Sequence, residues 1–272
     1  MTDRSRGHRS RVLAVLAIVT ASCAGRAAFV APRGSGVAAP EAATAWSAVT
    51  TACRSTTSYR SEFALTGGIG DRRIRGLASA RLFTALATNG SIGLEATVSG
   101  QLLFRLGGTA DKATLLLRDQ NRVVTARPEE ILDALIGVSV EPARLLAIVT
   151  GCVTTAESID RASRYGNVLE IVTADATVYL TPVATGWQTR AGRFRDVVVD
   201  YFAFDQGLPR ELRIATAGTN GPAVALDLRV QAVETNGDLD AALFRVTIPE
   251  GATPISVDEL RRVGPLGDDA RE

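Results

Sequence analysis

Residues 128–151 read PEEILDALIGVSVEPARLLAIVTG. Pro128 and Pro142 each open a short apolar segment of this stretch, and Gly137 and Gly151 end the two segments. Proline at the first helical position and glycine just past the last one are typical of helix ends. The stretch therefore predicts two short helices, which are apolar enough to require burial.

The sequence on both sides of these helices has the two-residue period of β-strands. The clearest case is residues 223–234, where every second side chain is apolar and the others are mostly polar, as in a strand with one face in water. Short strands separated by Gly and Asn turns predict an antiparallel sheet. The predicted strands begin at Ser58 and continue at 73–83, 92–98, 101–106, 113–118, 122–125, 168–173, 177–181, 186–191, 196–204, 211–216, 223–234 and 242–248.

Two further helices complete the prediction. Residues 40–54 place Ala42, Trp46, Val49 and Cys53 on one face, and a short helix is expected at 257–263. The fold class is therefore α+β, with the helices packed on one face of the sheet.

The N-terminus has the pattern of an export signal. Four arginines and one aspartate precede an apolar run from Val12 to Ala21, and Thr20-Ala21-Ser22 leads to Cys23. The small residues before Cys23 are similar to a bacterial lipobox, which predicts removal of residues 1–22 and lipidation of Cys23. Ordinary secretion with a coincidental cysteine is the alternative. Residues 23–39 are rich in Ala, Gly, Pro and Ser and predict a flexible tether.

Cys53 and Cys152 remain when Cys23 carries lipid. An even pair in an oxidising compartment predicts a disulfide. Two buried free thiols are the alternative, because cysteine is among the most buried residue types.

Composition argues against several functional classes. His8 is the only histidine and lies in the signal segment, so the mature chain has no imidazole for a nucleophile–base pair or a metal site. The net charge of +1 becomes about −2 without residues 1–22, which gives no reason to expect nucleic acid as a partner. We predict a protein that is not an enzyme and has no cofactor or metal. Hydrolysis by two carboxylates is the remaining catalytic alternative.

The excess of inward-facing apolar residues allows a different kind of site. A curved sheet with two apolar helices against it can enclose a hydrophobic cavity, although the same residues can also fill a solid core. The predicted cavity residues are Phe63, Leu82, Leu94, Phe104, Leu115, Leu135, Leu146, Val199, Tyr201 and Leu228.

The order of elements resembles the family of the lipoprotein carrier LolA and the lipoprotein receptor LolB. The matching parts are the Cys23 motif, the Trp46 helix, the strand Tyr59–Gly67, the helical insert 128–151 and the segment Phe244–Ala252. The resemblance implies a strongly curved antiparallel half-barrel sheet over residues 40–263, with helices packed in its concave face and a polar tail at 264–272. It also implies a cavity that accepts an acyl chain.

These observations predict a lipid-anchored protein of the cell envelope that binds an acyl chain or the lipid moiety of a lipoprotein. Ala24 follows Cys23, so the aspartate that would indicate retention at the inner membrane is missing, and we expect the outer membrane, facing the periplasm. The alternative is a structural or assembly lipoprotein that binds an envelope protein and no lipid.

Overall fold

The computed structural model describes residues 27–70, 72–73, 80–216 and 223–263. The predicted signal segment, the lipidation site Cys23 and the tail 264–272 lie outside the described residues. Within the described ranges the chain forms four α-helices and fifteen strands. The helices are α1 (Ala42–Arg54), α2 (Pro128–Ile136), α3 (Pro142–Thr150) and α4 (Val257–Val263).

Most strands fall where the two-residue period predicts them. They are β1 (Ser58–Ile69), β2 (Arg72–Arg73), β3 (Arg81–Ala87), β4 (Ile92–Val98), β5 (Gln101–Gly108), β6 (Ala113–Leu117), β7 (Arg122–Ala126), β8 (Arg161–Tyr165), β9 (Val168–Val172), β10 (Thr177–Val183), β11 (Gly186–Phe194), β12 (Val197–Asp205), β13 (Leu208–Thr216), β14 (Val224–Thr235) and β15 (Thr253–Pro254). Of the strand predicted at 73–83, Arg73 lies in β2 and residues 81–83 lie in β3, Ala80 belongs to neither strand, and residues 74–79 lie outside the described residues.

All of these strands belong to one curved sheet that does not close on itself within the described residues. Its order is β15-β7-β6-β5-β4-β3-β1-β14-β13-β12-β11-β10-β9-β8, with β2 paired to the end of β1. Every pairing is antiparallel except the short contact of β15 with β7. The predicted α+β class and half-open antiparallel sheet are confirmed.

The register produces two chemically different faces. Phe63 lies opposite Leu82, which lies opposite Ala96, which in turn lies opposite Phe104, so apolar side chains form rows along the concave face. The alternate positions hold ion pairs on the convex face, such as Glu62 with Arg81 at 3.1 Å and Asp227 with Arg213 at 2.7 Å. Because side chains alternate strictly between the faces of a strand, the sequence alternation fixes which face is buried.

Helices α2 and α3 cover the concave face of the central strands. Each begins with its proline at the first turn and ends at a glycine in the left-handed region, Gly137 at φ 71° and Gly151 at φ 94°. The ends predicted from the sequence are confirmed. The buried Tyr201 hydroxyl donates a hydrogen bond to the Ile148 carbonyl at 2.8 Å and joins α3 to β12.

Helix α1 covers the other half of the concave face, against β9 and β11. Its Trp46 side chain is only 3% exposed, and the indole Nε1–H donates to the Glu157 carbonyl at 3.2 Å. The indole therefore fills the space under α1 and also satisfies its polar atom.

The segment after β14 corrects the prediction of a strand at 242–248. Residues Ala241–Phe244 form a 3-10 helix and cross the convex face over Gly93 and Gly107, which lie opposite each other on β4 and β5. A Cβ at Gly93 would lie 2.3 Å from the Leu243 carbonyl oxygen, so the close approach requires glycine. The segment then reaches the edge at β7, where it forms β15 in place of the predicted closing strand.

Residues 27–39, predicted as a flexible tether, also lie against the sheet. The Phe29 ring packs on Tyr179 with 4.9 Å between ring centroids, and Val37 forms a β-bridge with Arg164 at the β8 edge. Arg190 lies over the Phe29 ring and contacts the Ala27 carbonyl at 3.4 Å. An aromatic ring and a guanidinium partner thus hold a segment whose composition alone is typical of a linker.

Asp200 links this segment to the sheet and gives a pH prediction. This residue is 3% exposed, and its carboxylate accepts a hydrogen bond from the Phe29 N–H at 3.3 Å. Burial raises the pKa of the Asp200 carboxyl, and the Phe29 N–H and the charges of Arg190 and Arg213 only partly oppose this effect.

Because the pKa of Asp200 is higher in the folded state than in the unfolded chain, binding of its proton stabilises the fold. We expect this contribution to the free energy of unfolding to be fully present below about pH 4, the ordinary range of an aspartate, and to be lost as the pH rises through the raised pKa. Asp200→Asn keeps an acceptor for the Phe29 N–H but has no charge to bury. Its free energy of unfolding, measured by urea titration at several pH values, should therefore increase relative to the parent protein as the pH rises. The exposed Asp238→Asn is the control, and parallel pH profiles for Asp200→Asn and the parent would contradict the prediction.

Candidate functional site

A cavity lies between the concave face of the central strands and the helices α2 and α3. The space open to the centre of a water-sized sphere is about 130 Å³. One such sphere needs about 10–15 Å³, so the cavity is the size of roughly ten water positions. The walls come from β1, β3, β4, β5, β13 and β14, and the cover comes from α2, α3 and the loop between them.

Six of the ten predicted cavity residues line this space. They come from five strands and one helix: Phe63, Leu82, Leu94, Phe104, Leu135 and Leu228. The cross-strand register brings the strand residues together, and Leu135 faces them from α2.

The other four predicted residues lie outside the lining. Leu115 is fully buried on β6, beyond the strands that form the walls, and Leu146 points from α3 toward a cleft beside the disulfide. Val199 lies opposite Gly192, where the Val153 side chain fills the space, and Tyr201 is held under α3 by its hydrogen bond to Ile148. These four residues therefore lie outside the cavity lining, on either side of it.

Several lining residues were not among those predicted. Val138 and Val140 come from the loop between the helices, and Ala96 provides space because its side chain is small. The helical residues are Leu132, Ile136, Leu145, Ile148 and Val149. Their spacing of three and four residues along α2 and α3 is the sequence signal that identifies them.

The lining is almost entirely hydrocarbon. Arg81 is the one charged residue among the lining positions, and its guanidinium pairs with Glu62 on the convex side at 3.1 Å. The hydroxyl of Thr84 is buried in the wall, as are those of its neighbours Ser61 and Tyr59, and none of the three has a hydrogen-bond partner within the described residues. Burial raises the pKa of Tyr59 to about 12, so this hydroxyl is neutral at physiological pH. The described lining is therefore chemically suited to apolar groups.

The described part of the chain holds no group of three or more His, Cys, Asp or Glu side chains that could bind a metal ion. No helix in the described ranges has the length and apolar character needed to cross a membrane.

A disulfide between Cys53 and Cys152 fixes the position of the cover. The two Cα atoms are 6.1 Å apart, and 99 positions separate the residues along the chain. The bond joins α1 to Cys152, two residues past the end of α3, so one end of the cover cannot move independently of α1. The predicted pairing is confirmed.

Comparison with protein families finds no match, and none is found among curated protein sequences. Several solved structures are similar to this chain. A LolA superfamily protein from Nitrosomonas europaea has a TM-score of 0.46 and 14% identity, covering 74% of this chain and 97% of that protein. A DUF1329 family protein from Desulfovibrio piger has a TM-score of 0.41 and 6% identity, covering 75% and 95%.

The lipoprotein LppX from Mycobacterium tuberculosis has a TM-score of 0.33 and 12% identity, covering 75% of this chain and 100% of LppX. These likenesses are remote.

Proposed function

We propose that this chain is a non-enzymatic lipoprotein of the cell envelope that holds a hydrocarbon chain in the cavity under α2 and α3. The observation that carries the proposal is a space of about 130 Å³ with walls of carbon atoms. Transfer of each methylene from water into such a space is favourable by about 0.8 kcal/mol. An acyl chain is therefore the ligand class that fits, whether it belongs to a free lipid or to a lipoprotein.

Apolar burial also sets the expected specificity. Methylene groups offer no directional contacts, so a hydrocarbon cavity discriminates poorly between related chains. The cavity should therefore accept acyl chains of related length.

The proposed anchor is the lipidated Cys23, in the outer membrane. Ala27 is held on the sheet by Arg190, and Cys23 precedes it by four residues, a span of at most ~14 Å when extended. The connection to the membrane would then be short, and the folded body would lie close to the membrane surface.

Filling the cavity tests the proposal. Ala96 lines it and is 5% exposed, so Ala96→Phe places a ring in the space that the ligand would occupy. We expect the affinity for a fluorescent fatty acid to fall at least tenfold. The matched control is Ala225→Phe on the exposed convex face of β14, which should bind the probe like the parent protein. Circular dichroism and urea titration check that both variants fold.

Equal affinity of Ala96→Phe and the parent would place the probe outside the cavity and contradict the proposal. A parent protein that takes up no fatty acid would favour the assembly role, in which an outer surface binds an envelope protein.

A further inference from the structure

Among the described residues, five side-chain oxygen atoms are buried without a hydrogen-bond partner, and three of them lie together. The three belong to the hydroxyl groups of Tyr59, Ser61 and Thr84, which we call the hydroxyl cluster. The other two belong to Gln120 and Thr189, elsewhere in the chain. A buried hydroxyl without a partner destabilises a fold, because it has given up its hydrogen bonds with water. Three such groups in one place therefore need an explanation other than stability.

The sheet register places the hydroxyl cluster on the concave face. Ser61 on β1 lies directly opposite Thr84 on β3, and Tyr59 is the preceding residue of β1 on the same face. All three residues are at most 5% exposed. Burial raises the pKa of Tyr59 to about 12, and the Ser61 hydroxyl partly opposes this effect, so these two hydroxyls are near each other. The cluster is therefore a compact group of donors and acceptors in an apolar surrounding.

Thr84 connects the hydroxyl cluster to the cavity. It is part of the cavity lining, as are Leu94, which lies opposite it on β4, and Phe63, the concave residue of β1 that follows Ser61. The methyl and hydroxyl groups of a threonine exchange positions by rotation about χ1. The Thr84 hydroxyl can therefore turn toward a group that is held in the cavity.

The hydroxyl cluster lies at the more buried end of the cavity. Phe63 and Leu94 at this end are at most 6% exposed, whereas the lining residues Ile69 and Val98 at the other end are half-buried. Ile69 follows Ser61 by eight positions on β1, a distance of about 26 Å along an extended strand. A hydrocarbon chain that enters at the half-buried end and fills the cavity therefore brings its leading end to the cluster.

The hydroxyl cluster is suited to a neutral group. Two arginines of this region are already paired, Arg81 with Glu62 at 3.1 Å and Arg210, whose charge reaches Tyr59, with Asp205 at 2.7 Å. The hydroxyls themselves carry no charge, and burial of an ion without a counter-charge is costly. Each hydroxyl can donate one hydrogen bond and accept others, so the cluster can pair with a neutral hydroxyl or carbonyl group.

We propose that Tyr59, Ser61 and Thr84 bind a neutral oxygen function at the leading end of the hydrocarbon chain, which is a hydroxyl, an ester carbonyl or a protonated carboxyl group. The inference rests on the proposed function and deepens it, because it selects oxygen-bearing chains among those that the cavity accepts. A chain without this oxygen leaves the hydroxyls unpaired, and its affinity is lower for that reason.

Calorimetric titration with dodecan-1-ol and with dodecane, both supplied as cyclodextrin complexes, tests the proposal. The quantity compared between proteins is the ratio of the two affinities, so the affinity of each probe for cyclodextrin cancels. Ser61→Ala/Thr84→Val removes two hydroxyls with little change in volume. Its preference for dodecan-1-ol over dodecane should be about fivefold lower than that of the parent, which corresponds to the loss of one hydrogen bond.

Thr84→Val and Thr189→Val form a matched pair of single variants. Thr189 is 2% exposed, and its hydroxyl also has no partner within the described residues, but it lies on β11, outside the cavity lining. Only Thr84→Val should lower the ratio, and urea titration checks that both variants fold. An unchanged ratio in Thr84→Val and in the double variant would overturn the proposal, and is the result expected if a trapped water satisfies the hydroxyls. An equal fall in Thr84→Val and Thr189→Val would also overturn it.

Two further probes identify which part of a lipid carries the oxygen. 12-Hydroxydodecanoate and dodecanoate differ only in a hydroxyl at the end of the chain away from the carboxylate. A preference for 12-hydroxydodecanoate that falls in Ser61→Ala/Thr84→Val supports an oxygen at the far end of an acyl chain whose carboxylate stays outside. A fall with dodecan-1-ol alone supports a neutral head group that enters first.

The inference and the proposed function fail in different ways. A parent protein that binds neither dodecan-1-ol nor dodecane contradicts the proposed function. A parent that binds both probes, with the same ratio as Ser61→Ala/Thr84→Val, contradicts only the role of the hydroxyl cluster.

Discussion

The variant Cys53→Ala/Cys152→Ala is expected to lose about 4–5 kcal/mol of unfolding free energy. The disulfide closes a loop of 99 positions, and cross-linking so long a loop removes a large amount of conformational entropy from the unfolded chain. In the folded state the bond holds α1 against the end of α3. Because a typical domain has only about 5–15 kcal/mol in total, this change would remove a large share of the stability.

Urea titration of the double variant and of the parent measures the effect. Adding a reductant to the parent should reproduce most of the loss, whereas the same reductant should leave the double variant unchanged. Cys23→Ser is the control for removal of a cysteine that takes no part in this disulfide. A double variant within 1 kcal/mol of the oxidised parent would show that the bond adds little to a fold that is already determined by packing.

Trp46→Ala is expected to cost about 3–5 kcal/mol, the range for removal of a large aromatic side chain from a core. Trp46 fills the space between α1 and the strands β9 and β11, and its Nε1–H is satisfied by the Glu157 carbonyl. The small alanine would leave a void under the helix and a carbonyl without its partner. The disulfide keeps α1 in place but cannot refill that void.

Two further variants separate volume from hydrogen bonding. Trp46→Phe keeps most of the volume and loses the hydrogen bond, so about 1–2 kcal/mol is expected. Trp187→Ala removes the same side chain from a half-buried position at the sheet surface and should cost less than Trp46→Ala. All three are measured by urea titration, and equal losses for Trp46→Ala and Trp187→Ala would refute the role assigned to the α1 face.

Alternation along the strands was sufficient to predict most of the sheet, although not β8 (Arg161–Tyr165), because a side-chain period of two determines which face is buried. The ends of α2 and α3 were equally clear from Pro128, Gly137, Pro142 and Gly151. The Cys53–Cys152 bond followed from an even cysteine count. These features depend on residue types at neighbouring positions or on a count of cysteines, both of which can be read from the sequence.

The residues that line the cavity could be predicted only in part. Leu94 and Leu115 look alike in sequence, since each is a leucine at an inward-facing position of a predicted strand. Leu94 lines the cavity under α2 and α3. Leu115 is buried on β6 and is not part of the cavity lining. Periodicity gives the face of a residue but not its distance from the edge of the helical cover.

The two segments that cross the convex face were missed for a related reason. Residues 27–39 have the composition of a linker. They lie against the sheet because Phe29 contacts Tyr179, Arg190 and Asp200, which are far away in sequence. Residues 242–248 alternate like a strand, but no sheet edge is available to them where they cross Gly93. Contacts between distant positions decide both cases.

Native mass spectrometry of the mature chain, purified from the envelope fraction of its host, tests the binding of a hydrocarbon chain most directly. The parent should carry additional mass that matches acyl-containing species, and Ala96→Phe should have lost most of it. Observing only the bare protein mass for the parent, with no fatty acid taken up after purification, would contradict the account.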